Sequence, residues 1–300
     1  MYTVFLFCTN PARMLHLRSI ILLALGCGWI LGGLFDTMTP FGIFRSPSTV
    51  ALPCPKGTSA SCPSCPPVPE AAQCPYRPEP GQYLPPPAMP TFRDRTEFGS
   101  IAARLGLKRG VELGVRRGEF SVDTLQNWRG CEEYVFVDLW RRQTNYVDTA
   151  NVDNSEQERR FQETLRRTKQ WSKIRKVCRN YTSVCATTFP DDYFDFVYVD
   201  ARHDRKGCYE DIAAYWPKLR KGGIMAGHDY ITQTDLTRER PSERQNWTVN
   251  YDGTVDRTGD VVKGAVDEFF MSGTPETNPH YRQVTVGYGE RMWWSWAVRK

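Results

Sequence analysis

Between residues 110 and 226 the chain carries four short apolar runs, at 110–113, 134–138, 194–200 and 223–226. Stretches with helical periodicity precede and separate them at 97–107, 120–128, 155–171 and 207–216. A run such as Phe194-Asp195-Phe196-Val197-Tyr198-Val199 has almost no polar side to turn to water. It needs cover on both faces, and a parallel sheet wrapped by helices supplies it. The alternation predicts an α/β fold, a Rossmann-like doubly wound sheet. The end of the chain departs from this pattern: a helix over 261–270 is followed by two strands, 283–288 and 292–298, joined through Gly289-Glu290. They predict an antiparallel hairpin at the last edge of the sheet.

The first ninety residues differ in kind. Residues 19–35 are seventeen residues without a charge, about the shortest helix that crosses a hydrocarbon core of ~30 Å. Arg13 and Arg18 precede the segment and Asp36 follows it, which sets residues 1–18 in the cytosol and the rest across the membrane. The expectation is a single transmembrane signal anchor, type II, with a lumenal catalytic region in the Golgi or another secretory compartment. A cleaved secretory signal is the alternative; the length of the apolar region and the lack of a small-x-small site after it favour retention.

Residues 36–90 read as a stem. Thirteen of the 21 prolines fall at 51–90, with Cys54, Cys62, Cys65 and Cys74, a composition that stays extended because it cannot bury a core. No histidine accompanies Cys62-Pro63-Ser64-Cys65, so disulfides are preferred to zinc, within the stem or linking chains into an oligomer. The sequons at Asn180 and Asn246 suit the same compartment. Residues 91–300 then form one catalytic domain. The net charge of +5, from 39 basic and 34 acidic residues, marks no basic face, and nucleic acid is not expected as a partner.

Three constellations in that domain carry chemistry. Glu112, Gly114 and Gly118 sit where the first strand turns into a helix, the place where open α/β sheets bind ligands. Asp138 ends the second strand, positioned to hold both hydroxyls of a ribose. Asp200 and His203 leave the third run, and His228 and Asp229 the fourth. Adjacent strands would bring these four to one mouth, a largely oxygen donor set suited to magnesium or manganese. His203 would stand as general base for a substrate hydroxyl.

Together VELGVRRGEFS, the strand-end Asp138, FDFVYVDARHD and LRKGGIMAGHDY resemble the class I S-adenosylmethionine-dependent methyltransferases, and more closely the family that includes macrocin-type sugar O-methyltransferases. The resemblance spans residues 95–300. It implies S-adenosylmethionine as cofactor, with Glu112, Gly114 and Gly118 at its methionine end and Asp138 at its ribose. It also implies a divalent ion, magnesium first, at Asp200 and Asp229, with His228 as a further ligand, and His203 as the base. The chain departs from the pattern at Arg116, where a middle glycine is common, at residues 179–183, which offer no acid to an adenine, and at Ala201-Arg202, where a Gly-acid pair is commoner.

The resulting expectation is an O-methyltransferase acting on a hydroxyl of a sugar or glycan. A methyltransferase fold without turnover, serving as a binding module, and an enzyme of small phenolic or lipid acceptors remain as alternatives. Residues 232–260, polar and without periodicity, would overhang the site as a lid, with Trp247 and Tyr251 stacking on a sugar. Cys178 and Cys185 could bridge a loop, or stay thiols with Cys131 and Cys208.

Overall fold

The computed structural model describes residues 87–291 and 293–300. The expected cytosolic N-terminus, the anchor at 19–35 and the stem up to residue 86, with its four cysteines, lie outside the described residues. Among the described residues no helix is long and apolar enough to cross a membrane.

Runs buried on both faces build the centre of the sheet. Strands β1 (Arg109–Leu113), β2 (Glu133–Val137), β3 (Arg175–Cys178), β4 (Phe194–Val199) and β5 (Leu219–Gly227) run parallel, and β6 (Thr285–Gly287) and β7 (Ser295–Arg299) close one side. Their order is β3-β2-β1-β4-β5-β7-β6. Strand β7 pairs antiparallel with both β5 and β6, so the expected antiparallel hairpin is present, with β7 set inside the edge. All six residues of β4 are buried. Phe196 and Tyr198 pack on the side of α1 (Phe98–Arg104) and α2 (Glu119–Asn127). Val197 and Val199 pack on the side of α5 (Arg205–Tyr215) and α7 (Val261–Phe270), whose Ile212, Ala265 and Phe269 complete that layer.

Polar side chains cap the starts of some helices. Asp153 accepts from the Glu156 backbone at the head of α3 (Asn154–Arg167), and Asp204 does the same for Gly207 in α5. Strand β3, and α4 (Thr182–Ala186) behind it, went unpredicted. Cys178 and Cys185 form a disulfide across the turn between them, whereas Cys131 and Cys208 are buried free thiols.

The lid segment is more ordered than its composition suggests. It contains α6 (Gln233–Glu239), started by a capping box between Thr232 and Asp235, and Asn246 bridges to Val147 in the segment after β2. The chain order reverses between β1 and β4, and the carboxyl ends of the strands open there into a cleft of about 540 Å³.

Candidate active site

Each strand tip delivers its side chain because a short turn follows it. At the end of β1, Glu112 is 1% exposed and accepts from Ser121 Oγ at 2.6 Å. Burial pushes its carboxyl up to about 8; the Ser121 hydrogen bond opposes the rise, and the charges of Asp200 and Asp138 add to it. Gly114 follows at φ +86°, and a Cβ there would stand 1.8 Å from the Asp200 carbonyl oxygen. This glycine lets the tips of β1 and β4 touch, and it lines the cleft. Arg116, where a glycine is common, takes the left-handed conformation at φ 54°. Gly118 caps α2 with its back to Thr164 of α3 and is not among the residues facing the cleft.

Asp138 ties two turns together. Its Oδ2 accepts from the Arg116 backbone at 2.8 Å and its Oδ1 from the Trp140 backbone at 2.7 Å. Burial raises its pKa, and these backbone bonds offset the rise only in part. Beside it Leu139, Asn180, Tyr181 and Thr182 form a wall of the cleft. The disulfide closes that wall from behind, and Asn180 of the first sequon is exposed on it.

At the other end of the cleft, donor atoms of Asp200, His203 and Asp229 all lie within 4.8 Å of one another. His203 Nε2 is 3.1 Å from Asp229 Oδ2 and 3.4 Å from Asp200 Oδ1. Burial opposes protonation of this imidazole, but Asp229, Asp148 and Asp200 outweigh it and raise its pKa well above the ordinary value. Asp229 holds a left-handed backbone at φ 56°, a strained conformation that buried functional residues often keep. His228 stays outside the cluster of three. Its Nδ1 lies 2.9 Å from Asp229 Oδ1 and its Nε2 3.5 Å from Glu290, so it braces Asp229 from behind. Burial would raise the Asp229 pKa, yet the His228 and His203 charges hold it low.

The Asp200 and Asp229 carboxylates, with His203 Nε2 beside them, are oxygen donors that fit a divalent cation of the magnesium or manganese kind.

Several site residues escaped the sequence reading. Asp148, in the segment between β2 and α3, lies 3.0 Å from His203 Nδ1. Arg95 pairs with Glu290 at 3.0 Å and reaches Asp200 at 3.8 Å. Arg240, Gln245 and Trp293 edge the outer cleft, with Arg240 over the Trp293 ring at 5.7 Å. The expectation for Trp247 and Tyr251 needs correcting. Trp247 is 1% exposed, with its indole N–H on Asp148. Tyr251 points away to Glu210 beneath the Lys206 ammonium and does not face the cleft. Neither is a free stacking surface, because each ring is already engaged; Trp293 is the aromatic that faces the outer cleft.

No curated protein matches the chain in sequence. Among solved structures, an O-methyltransferase from Bacillus cereus in complex with SAH aligns at 13% identity over 69% of this chain and 80% of its own, with a TM-score of 0.44. The O-methyltransferase TomG from Streptomyces achromogenes, involved in tomaymycin synthesis and in complex with SAM, aligns at 11% identity over 69% and 79%, with a TM-score of 0.43. Residues 111–230, which hold Glu112, Asp138, Asp200, His203 and Asp229, match the model of a family described as a methyltransferase domain, and the enzyme these residues build is a methyltransferase.

Proposed function

We propose that the chain is an S-adenosylmethionine-dependent O-methyltransferase, assisted by a divalent metal, that methylates a hydroxyl of a sugar or glycan. The observation that carries the reading is one cleft with two chemistries. Glu112 and Asp138 stand at one end, and Asp200, His203 and Asp229 at the other. When bound, S-adenosylmethionine supplies an electrophilic methyl group and the metal ion makes an acceptor hydroxyl more acidic.

The chain's own residues do the rest. Glu112 binds the cofactor's amine and Asp138 orients its ribose. Asp200 and Asp229 would hold the ion, and His228 fixes Asp229. A cation there would offset two of the three carboxylate charges that raise the His203 pKa. His203 Nε2 then takes the hydroxyl proton. Trp247 and Trp293 keep water from this end of the cleft, and Arg240 and Gln245 offer planar polar groups to an acceptor. Positioning accounts for most of the rate in such an in-line displacement.

We place the enzyme in a secretory lumen, most naturally the Golgi, as a type II single-pass protein with a stem that links chains through disulfides. The Cys178–Cys185 disulfide supports an oxidising compartment, and the exposed Asn246 supports glycosylation. Endoglycosidase sensitivity that Asn246→Gln removes is the expected result. Digestion of residues 91–300 by protease added outside sealed microsomes would overturn this topology.

Calorimetric titration of S-adenosylmethionine into the full chain, with and without magnesium, tests the activity. Binding that Asp138→Ala abolishes is expected, followed by an acceptor screen over glycans with His203→Gln as the inactive control. A folded wild-type chain that binds no cofactor would leave a binding module in its place.

A further inference from the structure

We propose that Asp148, held in turn by Trp247, is the positioning residue that locks a proton on His203 Nδ1 and turns Nε2 toward Asp200 and Asp229; the inference rests on the reading of that cluster as the reacting centre. An ionised carboxylate only accepts hydrogen bonds, and both oxygens of Asp148 are committed. Oδ1 takes the Ala150 backbone N–H at 2.6 Å. Oδ2 takes the Trp247 indole N–H at 2.6 Å and lies 3.0 Å from His203 Nδ1. The side chain is 3% exposed, and hydrogen bonds from His203, Ala150 and Trp247 outweigh its burial and keep its pKa below the ordinary value.

His203 Nδ1 must therefore be the donor. Tyr146 OH lies 3.2 Å from Nδ1 and 3.2 Å from the Ala201 carbonyl; with its proton on that carbonyl, its oxygen faces Nδ1 as a second acceptor. With Nδ1 committed, Nε2 is the nitrogen that faces the reacting cluster. The Trp247 ring packs against the imidazole at 4.4 Å between centroids and fixes its plane. Asp148 follows β2 and Trp247 follows α6, ninety-nine residues later. Docking of the 232–260 segment thus completes the base as well as covering it.

The test labels the full chain with ¹⁵N-histidine. There are four histidines in the sequence, and His203→Gln assigns the resonances of interest. Expected in the wild type is a downfield, slowly exchanging proton correlated with His203 Nδ1, which persists when magnesium is added while the Nε2 signal shifts. Asp148→Ala loses that protection, because it removes the carboxylate that accepts from Nδ1. Trp247→Phe keeps the ring but removes the indole N–H, and weakens the protection less. Cofactor affinity stays within about twofold of wild type in both variants, because neither touches Glu112 or Asp138, and this verifies the fold.

Protection unchanged in Asp148→Ala, or no proton on Nδ1 in the wild type, overturns the proposal. Protection that depends on Asp148 with an Nε2 signal indifferent to magnesium supports the positioning role and overturns the metal reading instead.

Discussion

The two ends of the cleft are made differently. At the end proposed for the cofactor Glu112, Gly114 and Asp138 come from the tips of neighbouring strands and the turns directly after them. At the end proposed for the acceptor the strand tips supply Asp200, His203 and Asp229, but two inserted segments and both ends of the domain hold them: Asp148 and Trp247 meet across ninety-nine residues, and Arg95 reaches Glu290 across 195. A residue on a strand tip is placed by a short periodic pattern that any chain of this fold must keep. A residue delivered by an insertion is placed only by what it meets.

The sharpest way to break this division is to disable each end alone. His203→Gln or Asp229→Asn is expected to cut methyl transfer by roughly 10²–10⁴-fold, with cofactor affinity close to wild type. Asp138→Ala is expected to abolish cofactor binding while leaving magnesium binding intact. Single-turnover transfer and calorimetry read the two effects separately. If Asp229→Asn weakens the cofactor as much as Asp138→Ala does, the ends act as one site and the comparison fails.

Gly114 is the joint between the two ends. An added Cβ would strike the Asp200 carbonyl oxygen at 1.8 Å in a left-handed backbone, so Gly114→Ala is expected to cost about 3 kcal/mol or more. Gly118 is also left-handed, but its Cβ would meet only Thr164 Cγ2, at 3.2 Å, and Gly118→Ala should cost about 1 kcal/mol. Urea midpoints compare them. Equal costs would mean that the β1–β4 contact matters no more than an ordinary helix start.

Legibility in the sequence follows the same line. The apolar runs located β1, β2, β4 and β5, and the 3.6-residue period of Val261, Val262, Ala265, Val266 and Phe269 located α7. Strand β3 was missed because it lies on the sheet edge, where Lys176 and Val177 are exposed and no buried run develops. Helix α6 was missed because only Leu236 of its seven residues is buried. Trp247, an aromatic in a polar segment, read as a surface for sugar; Ile231, Leu236 and Val261 bury it and Asp148 takes its indole N–H, and no local pattern connects Asp148 to it.

The cleft wall at residues 180–182 carries a smaller, independent prediction. The Cys178–Cys185 disulfide closes a short loop of sequence separation 7, and removing it by Cys178→Ser with Cys185→Ser should lower stability by about 2–3 kcal/mol through the freed denatured chain. Denaturant titration measures this. Because Asn180, Tyr181 and Thr182 lie on that loop, cofactor affinity should fall as well, and magnesium affinity at the other end should not.

The mildest perturbation addresses Glu112 through pH. Its carboxyl is raised to about 8 in the folded chain from an ordinary 4.5, chiefly by burial. The folded state thus holds a proton that the unfolded state releases between those values. Stability contributed by this group is full below pH ~4.5 and is lost as pH rises toward 8. A cofactor amine beside Glu112 favours the ionised form, so binding expels the proton below pH 8. Affinity should climb by up to about tenfold per pH unit on the approach to 8 and level off above it. Calorimetry in two buffers of different ionisation enthalpy reads the proton release directly, and Glu112→Gln should abolish both the release and the slope. A slope that survives in Glu112→Gln would place the cofactor's amine against some other group and remove Glu112 from the cofactor end.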